Sequence, residues 1–403
     1  MRLSFAVLGF LAAAFAGQAA SAQPVKVSGG APPSATPLLE LPRPTGPFPV
    51  GTFMASVSDP DRREIFTADP ADRRRVSLQV YYPAAKGCAP QPYIPAPLAD
   101  VIHEQLRAEK GFQRRLKAHA CHDAKLAGGT AKYPLVLFSP GIGTIHFFYV
   151  SLLEELASQG NIVVAVDHPY ASLATYFPDG SIVRRDGSRW GTGPEQTFLS
   201  ANEFYRNWAE DTRSVLDRIF RNDGSVLSKE MGNRVNTGRV AYIGHSYGGV
   251  AALYAAQMDS RIKAAANLDG GVGGFTDPNG TKWPSRMLLP VAADVPLLVL
   301  NSENYDEREA YAKSVRLARL RGATHNTFSD FIWLRENLVP GLPPPGGGNG
   351  PPPPANPLSG TDGIGVVREL TSQFLGCAFT QECARLDSAL IAAGVPANEK
   401  PAK

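Results

Sequence analysis

The chain has 403 residues with 43% hydrophobic and 19% charged side chains, four cysteines and a formal net charge of +3. Such a composition excludes a disordered or collagen-like polymer and is ample for an apolar core. The mild charge, with only the isolated run Arg73-Arg74-Arg75 and no basic stripe carrying aromatics, excludes nucleic acid as the expected partner.

Met1-Arg2, an apolar run from Leu3 to Ala16, and Ala20-Ser21-Ala22 make a charged n-region, an h-region and an A-x-A-like cleavage site. Residues 1–22 are therefore expected to be a secretory signal peptide cut near Ala22, leaving the protein secreted or periplasmic. The run is short against the roughly 20 residues that span a bilayer, and no cysteine stands at the cleavage site for lipid anchoring. Residues 23–50, rich in Pro, Ala, Gly and Ser, read as an extended, weakly ordered arm, and residues 51–403 as a single catalytic domain. Residues 76–82 alternate and predict an early strand. Tyr133 to Ser139 is a buried-strand pattern, and Pro140-Gly141-Ile142-Gly143 turns it towards a helix beginning near Phe148. Phe204, Trp208, Val215, Leu216 and Ile219 fall near helical spacing within 202–221.

Val240-Ala241-Tyr242-Ile243 then leads into Gly244-His245-Ser246-Tyr247-Gly248-Gly249, and the alanine-rich stretch from Val250 to Ala256 follows. A strand, a sharp turn carrying a serine inside G-x-S-x-G, and a helix form the nucleophile elbow of α/β-hydrolases. This predicts an α/β-hydrolase fold, a mostly parallel central sheet with helices on both faces and Pro/Gly-rich loop insertions. Ser246 is the expected nucleophile, with the positive end of the following helix aimed at the developing oxyanion.

In this fold the acid and the histidine follow the serine in chain order. Of the seven histidines only His325 lies downstream, in the polar loop Gly322-Ala323-Thr324-His325-Asn326 after the periodic stretch 315–320. It is the expected general base. The acid stays open at this point. Asp269 ends the apolar run 264–268, while Glu303 and Asp306 follow the next strand, 296–301, and Asp294 precedes it at the wrong end for a site at the strands' carboxyl edge. Asp259, Glu307 and Glu309 read as solvated charges. One oxyanion donor is expected from the amide of Tyr247 and the other from the earlier loop, at Ile142 between Gly141 and Gly143.

The Pro340–Pro357 run cannot form a helix or a central strand and reads as a surface loop ahead of a C-terminal helical segment starting near Gly363. The four cysteines suit an exported protein. Of the three possible pairings, the local one, Cys88–Cys121 with Cys377–Cys383, is expected. His119, Cys121, His122 and Asp123 match no standard metal spacing, so no metal or cofactor is expected. Trp190, Phe147 and Phe148 are equally readable as pocket lining or core.

Phe138-Ser139-Pro140-Gly141-Ile142-Gly143, residues 160–168, the GHSYGG elbow, Asn267-Leu268-Asp269, Asn301-Ser302-Glu303 and residues 324–331 occur in this order. Together they resemble the platelet-activating-factor acetylhydrolase family, of the lipoprotein-associated phospholipase A2 type, in a bacterial-looking secreted form. The resemblance spans about residues 76–335. It implies that the acid follows the strand after the nucleophile helix in a Leu-Asp context, which favours Asp269, and that the oxyanion amides are those of Ile142 and Tyr247. It further implies a cofactor-free ester hydrolase for short acyl groups on lipid-like alcohols, with peripheral contact to lipid surfaces. Three departures surround the acyl and alcohol pockets: glycines where an aromatic residue follows the family's acid, Pro140 where histidine is common, and extra loops at 275–295 and 340–357. Two other functions compete. A polyester- or cutin-type hydrolase would use the same chemistry in a shallower cleft, and a non-catalytic binding protein would use the fold alone.

Overall fold

The computed structural model describes residues 38–103, 106–186, 194–221, 231–272, 275–276, 282–283, 295–305, 311, 315–339 and 353–395. The signal-peptide segment, Trp190, Asp294, Asp306, and most of 275–295 and 340–357 lie outside these residues.

Nine strands build the central sheet: β1 (Val50–Arg63), β2 (Arg73–Pro83), β3 (Cys121–His122), β4 (Tyr133–Ser139), β5 (Ile162–Asp167), β6 (Val235–His245), β7 (Ala264–Leu268), β8 (Leu297–Asn301) and β9 (Arg316–Arg319). Their order is β9-β8-β7-β6-β4-β5-β2-β1-β3. Every neighbour from β9 to β5 is parallel, whereas β2 runs antiparallel to β5 and to β1. The helices that cover it are α1 (Val150–Ser158), α2 (Pro194–Arg221), α3 (Tyr247–Met258), α4 (Phe331–Leu338), α5 (Gly360–Thr380) and α6 (Ala384–Ala393).

Parallel strands covered on both faces need apolar side chains at every position, and β4 shows why its sequence runs without alternation. Leu135, Val136, Leu137 and Phe138 are all buried. Val136 and Phe138 pack with residues of α1 and α5, while Leu135 and Leu137 pack on the opposite face with residues of α2 and α3. Each such side chain contributes about 1.5–3 kcal/mol through burial. This is the α/β-hydrolase architecture read from the sequence.

The structure adds to the sequence reading in four places. Of the arm expected at 23–50, residues 23–37 lie outside the described residues and 38–50 are anchored rather than weakly ordered. Leu39–Glu40 pairs with Leu116–Lys117, Leu41 is buried, and Thr45 donates from its N–H (2.8 Å) and Oγ1 (2.6 Å) to the Glu155 carboxylate. Arg368 donates to the carbonyls of Pro42 (2.8 Å) and Arg43 (3.2 Å), so side chains of the domain satisfy a backbone that has no ladder of its own there. The C-terminal segment begins at Gly360 because Ser359 caps it, accepting from the Asp362 N–H at 3.1 Å. Gly363 lies inside that helix, packed on Thr327. Phe147 and Phe148 belong to the buried core, Phe148 meeting Phe331 edge to face. Arg74, in the middle of the basic run, is a buried ion-pair residue only 2% exposed. The disulfides Cys88–Cys121 and Cys377–Cys383 are both formed, leaving no free cysteine.

Candidate active site

Strand register brings the carboxyl ends of four strands to one edge. Gly244 pairs with Ser139 on one side and Asn267 on the other, His245 pairs with Leu268, and Leu268 with Leu300. Segments leaving the carboxyl edge of the sheet carry Ile142, Ser246, Tyr247, Asp269, Glu303 and His325, as the carboxyl-edge rule requires of an open parallel sheet.

Ser246 stands between β6 and α3 at φ 53°, ψ −118°. A non-glycine residue in such a conformation costs about 1–3 kcal/mol and persists only where its surroundings hold it. Here its N–H donates to Leu268 O at 2.8 Å and its carbonyl accepts from Gly249 N at 3.0 Å. The flanking glycines are fixed by contact. A Cβ on Gly244 would lie 2.2 Å from the Gly248 carbonyl carbon, and one on Gly248 would lie 2.2 Å from Ser139 O. The elbow is thus pressed against both its own helix and β4.

Asp269 follows β7 with φ 56°. Its N–H donates to Leu300 O at 2.7 Å, its Oδ1 accepts from the Ser302 N–H at 2.6 Å, and its Oδ2 lies 2.7 Å from His325 Nδ1. A carboxylate only accepts, so Nδ1 carries the proton and the ring's basic lone pair is at Nε2. Asp269 is buried, 3% exposed, whereas His325 is 28% exposed, so the carboxylate is shielded and the imidazole is partly open to solvent. Asn267 locks the turn: its amide donates to Gly270 O (2.7 Å) and Tyr311 Oη (3.0 Å), and its oxygen accepts from Gly270 N (2.8 Å). Of the acids left open by the sequence, Asp269 and Glu303 are among the described residues, and Asp269 is bonded to the histidine. Glu303 is engaged elsewhere, its carboxylate accepting from the Gly322 N–H and its own N–H donating to Ala323 O at 2.9 Å, which ties down the loop that carries His325. Thr324 and Thr327 then cap the turn 325–328 reciprocally.

The 140–143 loop crosses directly over Ser246. A Cβ on Gly141 would stand 3.2 Å from Ser246 Cβ. The N–H groups of Gly141, Gly143 and Thr144 are taken up by Tyr149 Oη, Ala171 O and Gly141 O. Among the described residues the Ile142 N–H has no such partner. Tyr247 opens α3 at its dipole-positive end.

Two hydrogen-bond systems beneath the site were not singled out in the sequence. His245, the variable position of G-x-S-x-G, lies between Tyr149 Oη (2.8 Å from Nδ1) and His325 O (3.0 Å from Nε2). Burial above all, then the neighbouring His325 ring, holds its pKa well below the ordinary histidine value, outweighing the backbone bond that raises it. The second is a buried string. Ser139 Oγ lies 2.9 Å from His168 Nε2 and 2.6 Å from Tyr242 Oη, and His168 Nδ1 lies 2.8 Å from Asp211 Oδ2. Trp208 stacks on the His168 ring at 4.0 Å. Burial would raise the Asp211 carboxyl, but Arg74, His168 and Arg62 together hold it well below the carboxylate range, so Asp211 is an anion and His168, pushed down chiefly by burial, is neutral. This Ser–His–Asp string is closed to solvent and fixes Ser139, where the 140–143 loop starts. Its members are 29 and 43 residues apart, so no local spacing marks it.

Residues 34–341 match the model of the family described as platelet-activating factor acetylhydrolase, isoform II. A probable 1-alkyl-2-acetylglycerophosphocholine esterase of Arthroderma benhamiae is 28% identical over 319 residues, 72% of this chain and 76% of that protein. The platelet-activating factor acetylhydrolase of Canis lupus familiaris is 27% identical over 52% of this chain and 50% of its own length, so the match spans about half of that relative. Among solved structures, a ferulic acid esterase from Streptomyces cinnamoneus superposes with a TM-score of 0.66 at 26% identity, covering 92% of this chain and 97% of that one. With the family match running through the elbow, the acid turn and the histidine loop, the chain belongs to the platelet-activating factor acetylhydrolase isoform II family of ester-cleaving α/β-hydrolases.

Proposed function

We propose that the protein is an exported serine carboxylic-ester hydrolase working through an acyl-enzyme, with Ser246 as nucleophile, His325 as general base and acid, and Asp269 as the group that orients the imidazole. The observation that carries this reading is the 2.7 Å Asp269–His325 bond, made across 56 residues at the edge where the Ser246 elbow stands. Ser246 Oγ attacks the ester carbonyl as His325 Nε2 takes its proton. The amides of Ile142 and Tyr247 hold the oxyanion. The alkoxide leaves with the proton returned by His325, and water cleaves the acyl-enzyme by the same steps in reverse. No step calls for a metal or organic cofactor. Export rests on the n-region, h-region and A-x-A pattern of residues 1–22, and it accords with the two disulfides.

The substrates we propose are short-acyl or lipid-like esters, in keeping with the names of the curated relatives. A second reading, aromatic acyl esters, is favoured by the likeness to the ferulic acid esterase, which extends over nearly the whole chain. A panel of p-nitrophenyl acetate to palmitate, a short-acyl glycerophosphocholine, methyl ferulate and a polyester film distinguishes them by kcat/KM. Highest turnover on acetyl and short-acyl phospholipid esters supports the first reading, and preference for methyl ferulate or the polymer film replaces it. Hydrolysis of none of them overturns the assignment.

A further inference from the structure

We propose that Tyr149 and His245 form a hydrogen-bonded relay that positions both the oxyanion loop and His325, making His245 a positioning residue for the ester-hydrolysis reaction. The inference rests on the roles proposed above for Ser246, Ile142 and His325.

The relay has three links. Gly141 N–H donates to Tyr149 Oη at 3.1 Å, Tyr149 Oη lies 2.8 Å from His245 Nδ1, and His245 Nε2 lies 3.0 Å from the His325 carbonyl oxygen. The direction of each proton is forced. A carbonyl oxygen only accepts, so His245 Nε2 carries a hydrogen. A buried ring held neutral then has a bare Nδ1, which must accept. Tyr149, a buried phenol whose ionisation burial opposes, supplies the O–H. Its oxygen is left to accept from Gly141. Thr144 Oγ1 donates to Gly141 O at 2.7 Å and stands 3.1 Å from Tyr149 Oη, closing the loop's other side.

The consequence is mechanical. Asp269 fixes the ring of His325 by its Nδ1, and His245 fixes the backbone of the same residue, so His325 is held at two points, ring and main chain. At the far end the relay grips Gly141, one residue before the free Ile142 amide and against Ser246 Cβ. His245 is itself the residue before the nucleophile. One chain of bonds therefore spans oxyanion donor, nucleophile and base. Tyr149 and His245 are buried against Phe138 and Phe328, so a positioning role is the one open to them.

The test uses the full mature chain with Tyr149→Phe, His245→Phe, the double variant and His245→Gln. Displacing an oxyanion donor costs less than deleting it, so each Phe variant is expected to lose about ten- to hundredfold in kcat, with KM within about twofold of wild type. Melting temperatures and stoichiometric labelling of Ser246 should be retained. The double variant should be no slower than the slower single one, because either change breaks the same relay. Gln keeps a donor and an acceptor, so His245→Gln should recover most of the loss. Unchanged kcat in either folded Phe variant, multiplicative losses in the double variant, or no recovery with Gln overturns the proposal. Nitrogen-15 NMR of histidine-labelled wild-type protein tests it independently of any variant. His245 should be the Nε2–H tautomer with a bare Nδ1, and an Nδ1–H tautomer overturns the relay. Loss of the esterase reading itself would show differently, as full activity in Ser246→Ala.

Discussion

Replacing Asp269 by asparagine separates charge from shape at the acid position. Asparagine tolerates a positive φ, so the backbone at 56° is no obstacle. The conflict lies in the donors. Asp269 accepts twice, from Ser302 N–H at 2.6 Å and from His325 Nδ1 at 2.7 Å, whereas an amide offers one acceptor and one donor group. If the amide oxygen keeps Ser302, its NH2 faces Nδ1 and forces the imidazole into the tautomer with hydrogen on Nε2, which cannot take the serine proton. If the oxygen keeps Nδ1–H, two donors face each other at Ser302. The first arrangement retains every hydrogen bond and should prevail, lowering kcat about 10⁴-fold, some 5 kcal/mol of transition-state stabilisation, with KM little changed. Glu303→Gln is the control, because a glutamine oxygen still accepts from Gly322 N–H; its loss should stay below about tenfold. Saturating p-nitrophenyl acetate hydrolysis by matched, folded proteins is the assay. A mild effect of Asp269→Asn beside a severe one of Glu303→Gln would refute the reasoning.

Further outcomes follow from the packing and the buried charges. Burial raises the Glu154 carboxyl to about 7, against the Ala120 and His119 N–H bonds that lower it, and raises Asp330 to about 6. A carboxyl raised on folding favours the folded state below its ordinary value of 4.5 and loses that contribution as pH climbs through about 7. Glu154→Gln keeps the acceptor and removes the titration, so the variant should gain on wild type by about 3 kcal/mol in denaturant unfolding between acid and mildly alkaline pH; parallel pH curves would contradict this. Gly248→Ala would push a Cβ to 2.2 Å from Ser139 O, costing about 1–3 kcal/mol in overpacking and shifting the elbow. Turnover should vanish along with a lowered melting temperature, and an active, equally stable variant would show that the elbow is not pressed on β4. The Cys88–Cys121 bridge closes 33 residues of separation and Cys377–Cys383 closes six. Loop entropy gives them about 4 and about 2 kcal/mol respectively. Removing the first pair with serines should therefore lower the melting temperature more than removing the second, and the reverse order would count against the entropic account.

Much of the site was legible because the fold imposes patterns on short stretches. A parallel strand must be apolar throughout, so the 133–139 run and the 240–243 run announce themselves, and the elbow glycines are fixed by contacts within a few residues. The Ser, Asp, His chain order did the rest for His325. For the acid, spacing alone left Asp269, Glu303 and Asp306 open, because three residues near strand ends differ only in which side chain reaches the imidazole. What stayed illegible depends on distant partners. Nothing in the run Arg73-Arg74-Arg75 marks its middle residue as buried, and Arg74 is buried against Asp211, 137 residues away. Phe147 and Phe148 could not be given a face, since aromatic residues suit core and cleft alike. The helix expected to start near Gly363 begins at Gly360, where the hydroxyl of Ser359 sets the start. His245 carries no pattern at all, as any residue satisfies that position of the motif.

The central claim, that Ser246 is an activated nucleophile served by His325 and Asp269, is tested most directly by covalent labelling. Mature protein treated with a fluorophosphonate should gain a single adduct by intact mass, mapping to the peptide of Ser246, with ester hydrolysis lost in step. Ser246→Ala should neither label nor turn over while unfolding at an unchanged temperature. An adduct on another serine, or ester hydrolysis surviving in Ser246→Ala, would contradict the account.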